Sequence, residues 1–266
     1  MDNSLLNRTD SFVLVLILFF VMIIVTVVGH KMRGPHHKEL DELKGTMSTL
    51  LAALFALFGF ILAFTFGMSG SRYDNIKNIL IDEHNSIGTA IKRADLYSDS
   101  VRAEMRVNFK KYLEARVAYY DHYFEMQRAS EEKSKAEKAI NDIWDLAIKQ
   151  SKLPNMLIPS NSMVPALNNL MDTADKRDLI GQARVPDLLL YMLFLLSVTI
   201  SFIVGFTIPY FNRRAWFIIL AFITVACLII YVTLDFSRPL RGFVKADFGN
   251  QAIIQTLKDF HLDDEK

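Results

Sequence analysis

The sequence predicts an all-α integral membrane protein with four transmembrane helices and a helical domain inserted between spans 2 and 3. Three observations predict it. The chain holds four long apolar runs, Phe12–Gly29, Thr49–Met68, Leu188–Phe211 and Trp216–Leu234, and none contains a Lys, Arg, Asp, Glu or His. Two of the runs precede and two follow a long charged segment. Within that segment apolar residues recur every three, four or seven positions, the spacing of one helix face.

Each run matches the roughly 20 residues that a helix needs to cross a hydrocarbon core of roughly 30 Å. Lipid offers no partner to backbone N–H and C=O groups, so an uncharged run of this length crosses as a helix. The first run exceeds a signal-peptide core, and its exit Gly29-His30-Lys31-Met32-Arg33 lacks a small-x-small cleavage site, which predicts a retained span. The expected organisation is an N-terminal pair, 1–68 with spans 12–29 and 49–68; a helical domain, 69–187; a second pair, 188–234 with spans 188–211 and 216–234; and a tail, 235–266.

An even number of spans puts both termini and the middle domain on one side. The short loops carry Lys31, Arg33, Lys38, Lys44, Arg213 and Arg214, while the opposite flanks carry Arg8, Arg72, Lys77, Lys176, Arg177, Arg184, Arg238, Arg241 and Lys245. The larger total lies on the flanks and the denser clusters lie on the loops, so charge alone leaves the orientation open.

The middle domain holds eighteen Lys+Arg and eighteen Asp+Glu, a net charge of zero. Such a balance excludes a basic nucleic-acid surface. Its only prolines, at 154, 159, 165 and 186, divide it into helices. The first of these continues span 2, because Gly67-Met68-Ser69-Gly70-Ser71 contains no proline and apolar positions resume at Ile76, Leu80, Ile87, Ile91 and Ala94. Ser98-Asp99-Ser100 predicts a break, with Ser100 or Asp99 as N-cap and Glu104 in capping range. A second helix is expected from about Val101 to Lys149, forming a helical hairpin with one wet face, and a third over Ala166–Ala183 after a proline-marked loop at 153–165. Tyr112, Tyr119, Tyr120, Tyr123 and Phe124 at helical spacing predict core or interface contacts. The amphipathic tail 246–260, with Phe248, Ile253, Ile254, Leu257 and Phe260, predicts packing on the helical domain or on the membrane surface.

Glu83 departs from the pattern, because on a helical wheel it falls within about 20° of the stripe Ile76, Leu80, Ile87 and Ala94. A buried carboxylate must be paired, hydrogen-bonded or wetted. Arg72 and Arg184, near the same membrane surface, are the expected partners for an inter-helix salt bridge; the functional alternative is a vestibule group. In span 2, Ala52, Ala56, Gly59, Ala63 and Gly67 form a stripe of small side chains that predicts close helix packing in lipid. The row Phe58, Leu62 and Phe66 beside it is a candidate hydrophobic constriction, of the kind that gates a pore by dewetting.

Chemistry-bearing motifs are sparse. His30, His36, His37 and Glu39 share a short loop, yet no pair sits at metal-binding helical spacing, so a solvated loop is expected and no metal or other cofactor is predicted. The chain has no G-x-S-x-G, H-E-x-x-H or phosphate-cradling glycine loop, and no intramembrane acid to relay protons. The single cysteine, Cys227, lies inside the fourth run and reads as a small apolar filler.

Three stretches resemble the bacterial bestrophin-like domain family. They are Ala63-Phe64-Thr65-Phe66 followed by Arg72-Tyr73 and by Glu83-His84-Asn85-Ser86-Ile87-Gly88-Thr89-Ala90 with Arg93-Ala94; then Ala166-Leu167-Asn168-Asn169-Leu170-Met171-Asp172; and the exit of the fourth span, Leu234-Asp235-Phe236-Ser237-Arg238-Pro239-Leu240-Arg241-Gly242. The resemblance runs from about residue 45 to 260. It implies kinship with bestrophins, pentameric ion channels with four spans per subunit, cytosolic termini, a cytosolic helical body and span 2 lining the pore. It further implies a multi-pass inner-membrane location, a homo-oligomer in the lipid bilayer and small inorganic ions as the conducted species, with Glu83 and Asn85 as vestibule candidates. The chain lacks the long acidic calcium clasp of animal bestrophins and their neck sequence, so gating and selectivity do not carry over. The expected activity is passive conduction of small ions by a protein that is not an enzyme. The competing expectation is a non-conducting scaffold or sensor whose helical domain docks a protein partner.

Overall fold

The computed structural model describes residues 10–33, 44–123, 125–180, 186–237 and 248–264, and all regular structure among them is helical. In chain order the helices are α1 Ser11–Met32, α2 Lys44–Arg93, α3 Asp99–Asp121, α4 Met126–Ser151, α5 Leu157–Ile180, α6 Asp187–Thr207, α7 Arg213–Phe236 and α8 Phe248–Asp264, with a 3₁₀ turn Ala94–Leu96 after α2. Among the described residues, four helices are long and apolar enough to cross a bilayer: Ser11–Met32, Gly45–Leu96, Asp187–Thr207 and Arg213–Phe236. The chain divides into an apolar unit, Met1–Asp74 with Arg184–Lys245, and a charged unit, Asn75–Ala183 with Ala246–Lys266.

In the apolar unit α1 packs on α6 and α7. The α1–α6 crossing is close because small side chains face each other: Thr26 and Gly29 on α1 against Ser197, Ser201 and Gly205 on α6, with Thr26, Ser197 and Ser201 buried. A Cβ at Gly29 would run into the Phe202 carbonyl, and one at Gly205 into the Thr26 carbonyl. The hydroxyls that would otherwise be stranded in lipid bond within their own helices: Thr26 Oγ1 donates to the Met22 carbonyl at 2.7 Å and Ser201 Oγ to the Ser197 carbonyl at 2.8 Å. This crossing is the small-residue packing that lipid favours.

That contact differs from the one expected in span 2. Ala52, Ala56 and Ala63 are exposed, and a Cβ added at Gly59 or Gly67 would meet nothing within 4 Å. The face of α2 used inside the subunit is the bulkier one opposite, with Phe58, Ile61, Leu62, Thr65 and Ser69 buried. Phe55 and Phe58 meet the Phe222 ring edge-on at centroid distances of 5.0 and 6.3 Å, and lower down Tyr73 stacks on Phe236 at 5.4 Å. Two faces of α2 had helical periodicity, and the bulky one took the intramolecular contact because its rings pack against Phe222 and Phe236.

In the charged unit α3 and α4 form a helical hairpin, and its core includes Met105, Phe109 and Leu113 from α3 and Ala136, Ile140, Ile143 and Ala147 from α4. The expected continuous helix over 101–149 instead breaks after Asp121 and resumes at Met126. The turn holds itself through Tyr123 N–H to the Tyr120 carbonyl and Glu125 N–H to the His122 carbonyl, without a proline or glycine. An unbroken rod would have left both apolar stripes open, whereas folding back buries each on the other. The N-cap of α3 is Ser98, its side chain makes no capping bond, and Glu104 is exposed, so the expected capping box does not form.

The loop expected at 153–165 shrinks to one turn. Met156 N–H donates to the Leu153 carbonyl at 3.3 Å across Pro154 and Asn155, whose φ of 66° is the left-handed value such a turn needs. α5 then starts at Leu157, with Pro159 in its first turn, where a missing N–H costs nothing. Pro165 lies inside the helix, and close by the Arg93 guanidinium donates to the Ser162 carbonyl. α8 packs on α3, burying Ile253 and Phe260 in the same core, so the tail's apolar stripe is spent within the charged unit.

Replacing Gly205 by Val should force the α1 and α6 backbones apart and lower stability by at least about 1–3 kcal/mol, the usual cost of overpacking. Gly59→Val, on the open face of α2, should leave the thermal transition of the detergent-solubilised protein nearly unchanged.

Candidate functional site

The densest chemistry in the described residues surrounds Glu83, which is fully buried at 0% exposure. Three helices deliver the groups. α2 supplies Glu83 from the stripe that also buries Ile76, Leu80 and Ile87; α3 supplies Arg116 one turn beyond Tyr112; α5 supplies Arg177 and Asp178 one turn beyond Thr173.

Arg116 Nε donates to Glu83 Oε1 at 2.9 Å, with Nη2 closing on the same oxygen, and Arg177 Nη1 donates to Oε2 at 2.5 Å. On its other side Arg116 Nη1 reaches Asp178 Oδ1 at 3.2 Å, while Nη2 donates to the Tyr120 hydroxyl, which donates in turn to Asp178 at 2.9 Å. Lys133 of α4 holds the remaining Asp178 oxygen at 2.9 Å. The Arg177 guanidinium lies 3.3 Å from the Tyr120 ring centroid and Arg116 lies 5.0 Å from it, so both cations also use the ring face. Beside the cluster the Ser86 and Thr173 hydroxyls meet at 2.8 Å, and Thr173 is anchored to the Asn169 carbonyl.

Burial works against the Arg116 and Asp178 charges, and the pairing outweighs it. Desolvation disfavours the Arg116 cation, yet Glu83, Tyr112 and Tyr120 hold its pKa well above the ordinary value. Burial likewise disfavours the Asp178 carboxylate, but Arg116, Lys133 and the Tyr120 hydroxyl keep it below the ordinary carboxyl value of 3.8. Burial pushes the Tyr112 and Tyr120 hydroxyls upward, so both stay neutral. Two carboxylates face three cations, and both oxygens of each carboxylate are occupied. Such a site locks helices together; it offers no free base, nucleophile or wet wall.

This corrects one expectation. Among the described residues the partners of Glu83 are Arg116 and Arg177 rather than Arg72; Arg184 lies outside the described residues. Glu83 makes the expected inter-helix ion pair, with both carboxylate oxygens held. Its two arginines were legible by the same wheel argument, because Arg116 shares a stripe with buried Tyr112, Leu113 and Tyr119, and Arg177 one with buried Leu170 and Thr173.

The structure scatters the other candidates. Phe58 and Leu62 are inside the apolar unit's own core, so of the phenylalanine–leucine row only Phe66, 40% exposed, presents itself outward. Asn85 is exposed and sits about 160° around α2 from Glu83. In the apolar unit the small residues Ala52, Ala56, Gly59, Ala63 and Gly67 are all exposed, on the side of the helix away from Phe58 and Leu62. Of the loop histidines, His30 bonds the Ile208 carbonyl at 3.1 Å and stacks on Phe211; His36, His37 and Glu39 lie outside the described residues. No group of three or more potential metal ligands occurs among the described residues.

Residues 15–247 match the Bestrophin-like domain. The chain belongs to the bestrophin-like family. Crystal structures of a bacterial bestrophin homologue from Klebsiella pneumoniae share the fold. One aligns with a TM-score of 0.68 at 12% identity, covering 93% of this chain and 97% of that one. Another aligns at 0.64 and 15% identity over 94% and 99%. No curated protein sequence is significantly similar. The bestrophin-like fold thus spans nearly the whole chain at an identity where only architecture is comparable.

Glu83→Gln should leave buried Arg177 without a carboxylate and Arg116 with Asp178 alone, and cost about 3–5 kcal/mol in denaturant unfolding. Asp178 adds a pH signature. Its folded pKa is depressed, so its contribution is complete above the unfolded value of 3.8 and disappears as pH falls through the folded value. Acid unfolding followed by circular dichroism should therefore steepen below that point, and less so in Asp178→Asn.

Proposed function

We propose that the protein is an oligomeric inner-membrane channel that passes small ions passively, with α2 lining the conduction path and with termini and charged unit in the cytosol. One observation supports this reading above the others: α2 is a single helix of 50 residues whose face of small residues, Ala52 through Gly67, is exposed among the described residues of its own subunit. The face opposite is committed to the subunit interior through Phe58, Leu62 and Glu83. When copies of such a subunit close into a ring, the uncovered face turns to the axis or to the neighbouring copy. Membership of the bestrophin-like family favours a ring of five. Within it the narrowest level falls where Phe60 and Phe66, exposed by 70% and 40%, flank the small residues.

The ionic cluster then serves conduction only indirectly, by holding α2 in register with α3 and α5. Purified oligomer in planar bilayers should show unitary currents. Ala63→Trp should reduce their amplitude about tenfold or abolish them, Asn85→Asp should shift the reversal potential under a salt gradient, and Glu83→Gln should lower the yield of folded oligomer without a selectivity change of its own. Silent bilayers containing correctly assembled oligomer would overturn the reading.

A further inference from the structure

The stretch of α2 that belongs to the apolar unit ends at Asp74, and its open side carries two interleaved rows with a seven-residue repeat. One row is Leu50, Leu57, Phe64 and Ser71; the other is Ala53, Phe60, Gly67 and Asp74, and every member is exposed. A repeat of this period is the seam along which identical helices pack around a common axis. The row beside it, Ala56, Ala63 and Gly70, is half-buried at its last member, so the seam through Asp74 is the one that stays open to the end of the unit.

Charge enters this seam once. Between Gly45 and Asp74 the only charged residues are Arg72 and Asp74. Arg72 lies about 160° around the helix from Asp74, and its Nε is buried. Asp74 is exposed and has no ion-pair partner among the described residues. It stands six residues past Met68, about 9 Å beyond the end of the apolar run. The open seam is therefore apolar along the span and closes on a single unneutralised carboxylate.

We infer that Asp74 is the charge-discriminating residue of the conduction path and that the ions conducted are small cations. The inference rests on the reading of α2 as the lining of that path. In a closed ring each copy contributes one Asp74 at the same level, and a ring of carboxylates at the mouth of an apolar, low-dielectric passage draws cations in and repels anions. Leu57, Phe60 and Phe64 offer a passing ion no ligand of their own, so discrimination by charge falls to this ring.

Reversal potentials of the purified full-length oligomer in planar bilayers, under a potassium chloride gradient, test the assignment. The unsubstituted protein should favour potassium over chloride by about tenfold or more, the ratio for Asp74→Asn should fall toward unity, and Asp74→Lys should favour chloride. Asp74→Cys allows the charge to be changed after folding, because the single cysteine of the sequence, Cys227, is buried. A negatively charged methanethiosulfonate should restore the potassium preference of Asp74→Cys, and a positively charged one should reverse it. Chloride preference in the unsubstituted protein, or a permeability ratio unmoved by Asp74→Asn and by both reagents, overturns the inference and leaves conduction standing. Silent bilayers containing assembled oligomer overturn the channel reading itself, and this inference with it.

Discussion

A carboxylate without water fixes how the charged unit closes. Glu83 is carried to the interior by the same α2 stripe that buries Ile76, Leu80 and Ile87, and a carboxylate buried there needs partners for both its oxygens. Arg116 from α3 and Arg177 from α5 meet that need, and Asp178 and Lys133 complete the cluster. The hairpin of α3 and α4, the placement of α5 and the packing of the tail helix on α3 all accommodate this convergence. The cluster is worth little as a gain over an apolar core, but it admits only one register, because any slip leaves a charge unpaired.

The apolar unit is held on different terms. Among apolar helices in lipid there is no hydrophobic gain, so close approach decides which helices associate. α1 and α6 achieve it at Gly29 and Gly205, with Thr26, Ser197 and Ser201 returning their hydroxyls to their own backbones where these bonds are seen. α2 instead joins through aromatic rings, Phe55 and Phe58 against Phe222 and Tyr73 against Phe236. Its small-residue face is left uncovered, and the functional reading rests on that surplus.

Much of this was legible in the sequence. The apolar runs marked the four helices long enough to span, the lack of proline after Met68 predicted that α2 would continue, and the wheel position of Glu83 predicted its burial. Other features were not legible. The break at 122–125 has no proline or glycine to announce it, because it is driven by the burial of two distant stripes on each other. α5 begins nine residues before Ala166 because Pro159 falls in a first turn, where proline is tolerated, while Pro165 is absorbed within the helix.

What the sequence determined by itself was periodicity: where helices form, which of their residues share a face, and that a carboxylate would be hidden among apolar neighbours. These follow from the fixed geometry of a helix, which needs only local information. Only the tertiary structure decided partners: Arg116 and Arg177 rather than Arg72, Gly29 with Gly205 rather than the span 2 stripe, and Phe58 inward rather than toward an axis. A helix with two regular faces satisfies local rules either way round. The choice between them depends on which side chains pack together, as Phe58 does with Phe222, and on charges matched across 33 to 94 positions.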